Sequence, residues 1–160
     1  MGSFNGLIQA EFTPPKTWVL SRELSFRTDE ISSEDIEILQ IIGANCSTSG
    51  EIFAESGFHT DLASVPRSLW FLISPWDIAR SAVIHDHLYA CCRNYFNSES
   101  CDPEIWKRAR AISDKIFLLA MYASEPPVPS WKKKAAYYSV RAFGKKPASQ
   151  AVILQKDQSS

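Results

Sequence analysis

The stretch Ala82-Val83-Ile84-His85-Asp86-His87-Leu88-Tyr89 sets His-Asp-His inside a run that otherwise reads as hydrophobic core. Burying an unpaired charge costs several kcal/mol or more, enough to unfold a small domain, so such groups are paired, neutralised or bound to a metal. Any fold for this chain must therefore bring partners to His85 and Asp86. Two stretches offer them: Gly57-Phe58-His59-Thr60-Asp61-Leu62-Ala63-Ser64 upstream, and Ile112-Ser113-Asp114-Lys115-Ile116-Phe117 downstream.

The element pattern is that of an α+β chain, a small N-terminal antiparallel β-sheet followed by three main α-helices. Short apolar alternations at Leu7–Phe12, Trp18–Leu20 and Leu24–Phe26 predict strands, with Pro14-Pro15 breaking between them. Ser32-Ser33-Glu34-Asp35 could cap a helix, but Ile36–Ile42 is β-branched and alternating, which predicts a strand that Gly43 ends. Glu51–Ala54 with Gly57-Phe58 reads as the last strand, delivering Thr60-Asp61 into a loop; a short helical turn from Ser64-Val65-Pro66-Arg67 is then interrupted at Ser74-Pro75. The first main helix is expected from about Asp77, as N-cap, to Cys92, and Arg93–Ser100 as a loop. The second starts at Asp102-Pro103-Glu104 and runs to about Ala123; the third runs from Trp131 to Phe143 between Ser130 and Gly144. Residues 1–145 form one domain in this reading, and 146–160 a flexible tail.

On the first helix His85 and Tyr89 share a face, while Asp86 points about 100° away. The short loop that follows makes the Asp114 helix its antiparallel neighbour, with axes about 8–10 Å apart. A carboxylate at Asp114 then reaches an imidazole at His85. Such a pair fixes one ring nitrogen as donor and frees the other as a base, with an unperturbed pKa of about 6.5. Asp86 is turned towards Asp61 in the loop, and two carboxylates with a loop carbonyl make a hard-oxygen site suited to Ca²⁺. Each residue also has a plainer reading. His85 can be a satisfied core histidine, Asp61 a cap for the following turn, and His59 and His87 surface residues. Tyr89, Trp70 and Phe71 are core by default, and Lys132-Lys133-Lys134 with Arg141, Lys145 and Lys146 form a solvated helix face.

Composition removes several function classes. A formal net charge of −1 over 160 residues gives no global basic excess, so no nucleic-acid partner is expected. No apolar run approaches the ~18 residues of a membrane span, and the first thirty residues hold no run of signal-peptide length, which points to the cytoplasm. Cys46, Cys91, Cys92 and Cys101 contain no C-x-x-C pair and read as free thiols. Neither a Gly-rich phosphate loop nor G-x-S-x-G is present.

The motifs Gly57-Phe58-x-Thr60-Asp61-Leu62-Ala63-Ser64-Val65-Pro66-Arg67, His85-Asp86-x-Leu88-Tyr89, Asp114-x-Ile116-Phe117 and Tyr138-x-Val140-Arg141-x-Phe143-Gly144 resemble an uncharacterised family of small phage and prophage proteins, known as a domain of unknown function. That resemblance covers about residues 50–145 and implies a phage-type origin, with the host cytoplasm as compartment. More distantly, the order Thr-Asp loop, His-Asp-x-x-Tyr helix, Asp helix is similar to prokaryotic phospholipase A2 enzymes. This similarity implies His85 as general base, Asp114 as its orienting partner, and Asp61, Asp86 and the Leu62 carbonyl as Ca²⁺ ligands acting on a lipid ester or another ester or phosphodiester. Two other readings stay open. One is a transition-metal phosphohydrolase with His59, His85, Asp86 and Asp114 as ligands; the other is a non-enzymatic phage structural or host-interaction protein.

Overall fold

The computed structural model describes residues 1–14, 17–60, 78–125 and 127–149. Among these, six short strands precede or flank the first helix and four helices complete the chain, an α+β architecture. The strands are β1 (Ser3–Phe4), β2 (Ala10–Thr13), β3 (Thr17–Leu20), β4 (Leu24–Arg27), β5 (Glu51–Ala54) and β6 (His59–Thr60). They form two antiparallel three-stranded sheets rather than one, ordered β1-β4-β5 and β2-β3-β6.

Alternation decides which faces are buried. Leu24 and Phe26 on β4 stand opposite Ala54 and Ile52 on β5, and all four are buried. The turn into β5 needs Gly50, whose φ of +80° and close approach to the Thr28 carbonyl leave no room for a Cβ. In the second sheet β2 and β3 form a hairpin with Phe12 opposite Trp18, ring centroids 5.1 Å apart. Strand β6 closes that sheet with Trp18 opposite Thr60 and Val19 opposite His59.

Between β4 and β5 the chain forms a helix, α1 (Ser33–Ile41), where alternation predicts a strand. A capping box settles it: the Ser32 hydroxyl accepts from the Asp35 N–H at 3.1 Å, and the Asp35 carboxylate accepts from the Ser32 N–H at 3.2 Å. Ile36, Leu39 and Ile42 are buried at helical spacing, while Gln40, inward in the strand reading, is exposed.

Helix α2 (Ala79–Phe96) runs through the core and continues four residues beyond the expected end at Cys92, because Tyr95 is buried and its hydroxyl accepts from the Asp102 N–H at 3.0 Å. Asp77, expected as its N-cap, and the turn expected from Ser64 lie outside the described residues. Helix α3 (Pro103–Tyr122) starts as expected, with the Asp102 carboxylate accepting from the Glu104 and Ile105 N–H groups at 2.8 and 3.3 Å. Contacts that pair Ser81 with Ser124, His85 with Asp114 and Cys92 with Ser113 run in opposite directions, so α2 and α3 are antiparallel. Helix α4 (Ser130–Phe143) lies on α3 through Ala136 and Val140, which join Phe117 and Met121 in a second apolar cluster. It is followed by a fifth helix, α5 (Lys145–Ser149), within the stretch expected to be a tail; Ala148 is fully buried and α5 packs on α2. All four cysteines are free thiols. No helix among the described residues is long and apolar enough to cross a membrane.

Candidate functional site

The polar centre of the fold is Asp114, midway along α3 and 0% exposed. Among the described residues three donors converge on it. His85 Nε2 lies 3.0 Å from Oδ1, Tyr89 Oη donates to the same oxygen at 2.7 Å, and Arg141 Nη1 donates to Oδ2 at 2.9 Å. His85 and Tyr89 come from one face of α2, four residues apart, as helical geometry requires; Arg141 comes from α4. The His85 ring is clasped by aromatic neighbours, with centroids 4.1 Å from Tyr89 and 4.7 Å from Phe117.

These contacts set the charge states of Asp114 and Tyr89. Burial pushes the Asp114 carboxyl up, but the hydrogen bonds from His85, Tyr89 and Arg141, with the charge interaction of His85, outweigh it and hold the group below the ordinary carboxylate range. Burial, reinforced by the neighbouring Asp114 charge, raises the Tyr89 phenol, so it stays an O–H donor. An ionised carboxylate only accepts, hence His85 Nε2 carries a proton towards it, and whenever the ring is neutral Nδ1 is a bare acceptor. Among the described residues that Nδ1 atom is buried with no hydrogen-bond partner. His85 is 2% exposed, so Nδ1 is orphaned in a region where polar atoms are normally satisfied.

Asp86 occupies the next face of α2, half-buried, and accepts a hydrogen bond from the Thr60 hydroxyl. The pairing of β6 with β3 thus holds Asp86 beside the residue that precedes Asp61. Asp61 and Leu62 themselves lie outside the described residues. On the sheet side of Thr60 is a cavity of about 250 Å³, walled by Trp18, Leu20 and Ile8 from the strand layer and by Ala79 and Val83 from α2. Its described lining is mostly apolar.

His59 is exposed on β6, and the described residues contain no group of three or more His, Cys, Asp or Glu able to hold a metal ion. Of the set His59, His85, Asp86 and Asp114, the structure joins His85 to Asp114, while Asp86 accepts from Thr60 and His59 is exposed on β6. His87, read as a surface residue, is half-buried with its ring edge-on to Phe58 at 5.5 Å, and burial lowers its pKa against the opposing pull of Glu55.

Sequence reasoning finds His85 and Asp114 but misses two of the four members of the cluster. Tyr89 reads as core, although its place one turn after His85 on the same face is the signal that it shares a partner. Arg141 reads as part of a solvated basic face, and only its position within the last motif hints otherwise.

Residues 40–140 match a family model described as "Protein of unknown function (DUF1353)". The chain belongs to this family. The DUF1353 segment opens within α1 and holds His85, Asp86, Tyr89 and Asp114, whereas Arg141 follows its last matched residue. No curated protein and no solved structure matches the chain.

Proposed function

We propose that this DUF1353 chain is a Ca²⁺-dependent hydrolase, similar to phospholipase A2, in which His85 activates water against an ester or phosphodiester. The observation that supports this most is the orphaned Nδ1 of His85. A histidine kept only to hold helices together is expected to use both ring nitrogens, since leaving a buried acceptor bare costs about 1–3 kcal/mol. A bare nitrogen opposite a carboxylate-bound one is the arrangement a general base requires.

In this mechanism a water molecule donates to His85 Nδ1 and attacks the carbonyl or phosphoryl centre. Its proton passes to Nδ1 as the new C–O or P–O bond forms. The resulting imidazolium is stabilised by Asp114 through Nε2–H, and Tyr89 and Arg141 keep that carboxylate ionised. When the intermediate collapses, the scissile bond to the leaving oxygen breaks and Nδ1 returns the proton to it. Oxygen donors suit Ca²⁺, and the Thr60 hydrogen bond holds the Asp86 carboxylate at the end of β6; Asp61, Asp86 and the Leu62 carbonyl would hold the ion. Ca²⁺ held by them would supply stabilisation of the developing oxyanion. The apolar cavity beside Thr60 favours a substrate with a hydrocarbon arm, such as a lipid ester. Motif resemblance favours a phage or prophage origin, and four unbridged cysteines suit a reducing cytoplasm.

The test is hydrolysis by the purified full chain of phospholipid vesicles, a nitrophenyl ester and a nitrophenyl phosphodiester, in Ca²⁺ or in chelator. Turnover of one class in Ca²⁺ is expected, lost in chelator and reduced by about 10²–10⁴ in His85→Gln. Equal rates in wild type and His85→Gln, or no turnover of any class, overturn the reading. A second, non-enzymatic reading, as a structural or host-interaction protein, is favoured by the 2% exposure of His85. It expects His85→Gln to lower stability and alter nothing else.

A further inference from the structure

We propose that the last turn of α4 is a positioning device for the His85–Asp114 pair, with Arg141 fixing the carboxylate and Gly144 making room for the hydroxyl that shares it. The kinetic part of this inference rests on the functional reading above; the geometric part does not.

A carboxylate hangs on a single bond whose rotation is broad and two-fold, so donors on one oxygen alone do not fix the plane of the group. In this site the two oxygens are divided. Oδ1 takes His85 Nε2 and Tyr89 Oη, at 3.0 and 2.7 Å, and Oδ2 takes Arg141 Nη1 at 2.9 Å. Among the described residues Arg141 is the donor on Oδ2, and so it fixes the plane in which Oδ1 meets the imidazole. Its side chain is 34% exposed, whereas the Asp114 side chain it grips is fully buried, so it enters the site from the rim.

Gly144 stands three residues further on. Its φ of −71° is ordinary helical backbone, open to any residue, so no left-handed turn calls for glycine there. Space does. A Cβ at 144 would overlap the Tyr89 hydroxyl and the Val140 carbonyl and would come within 3.0 Å of Tyr89 Cζ. The Tyr89 hydroxyl reaches Asp114 because position 144 carries no side chain. Both residues act on His85 through others, which makes them positioning residues.

The experiment reads the ring nitrogens of His85 by NMR in the full-length, ¹⁵N-labelled chain, at one pH well above the imidazole range so that the ring is neutral. Wild type is expected to show one tautomer, protonated at Nε2. In Arg141→Gln the carboxylate is free to turn, and the two nitrogen resonances move towards each other as the tautomers mix; Arg141→Lys returns part of the shift, since an ammonium supplies the charge without the planar fork. Gly144→Ala is expected to reproduce the Tyr89→Phe spectrum and to add nothing to the tautomer ratio when made on top of Tyr89→Phe. Should Arg141→Gln not fold, Arg141→Met, which keeps an apolar stem, is read in its place. On substrate, kcat falls about tenfold in Arg141→Gln with KM unchanged, because the residue touches no substrate. A folded Arg141 variant and a folded Gly144→Ala that both keep the wild-type tautomer overturn the inference. Absence of turnover in wild type overturns the functional reading and leaves the spectroscopic result standing.

Discussion

A carboxylate can stay ionised at 0% exposure only if its surroundings replace the water it has lost, and Asp114 does so with an imidazole, a phenol and a guanidinium. Replacing it by Asn leaves those donors facing an amide and is expected to lower unfolding stability by about 3–5 kcal/mol, read from urea midpoints. The pH dependence has a definite sign. Because the folded-state pKa lies below the ordinary carboxylate value, the stabilisation is complete above the unfolded carboxylate's range and fades as pH falls through the depressed folded value. Acid unfolding should therefore be shallower in Asp114→Asn than in wild type, measured by circular dichroism between neutrality and pH ~2. At this scale the His85–Asp114 pair is legible in the sequence, since each interrupts an apolar helix and so demands a partner. Arg141 is not, because a basic residue in a helix that also carries three lysines is indistinguishable from them by type; only the crossing of α4 over α3 turns it inward.

Among the elements, α3 is legible from its first three residues, whose cap, proline and acid each satisfy a different need of a helix start. The segment that became α1 carries two compatible periodicities at once, and isoleucines at 36, 38, 41 and 42 do not separate period 2 from period 3.6. The capping box carries the deciding local signal. Ser32→Ala is accordingly expected to destabilise the protein by about 1 kcal/mol, seen as a lower denaturant midpoint with an unchanged slope. The continuation of α2 to Phe96 was masked by the polarity of Arg93 to Ser100. Tyr95, buried on the core side of that last turn, is what holds it helical.

At the level of the whole molecule, helix α5 ties the end of the described chain to both long helices. The Trp106 indole donates to the Ala148 carbonyl at 3.3 Å, and Arg93 Nη1 donates to the Pro147 carbonyl at 3.3 Å. Polar composition hides this docking from a sequence reading, since Ala148 is the one small residue that enters the core there. Ala148→Leu should overpack that contact and cost about 1–3 kcal/mol, visible as a lower thermal midpoint. The two sheets impose a different kind of discipline. Strand β6 is two residues long, with His59 outward and Thr60 inward against Asp86. A slip of one residue in its pairing with β3 would exchange these two side chains, turning the hydroxyl to solvent and an imidazole towards α2. The fold is thus intolerant of a single inserted or deleted residue between Gly57 and Thr60, and any length variation in this part of the chain must fall in even steps or lie outside the strand.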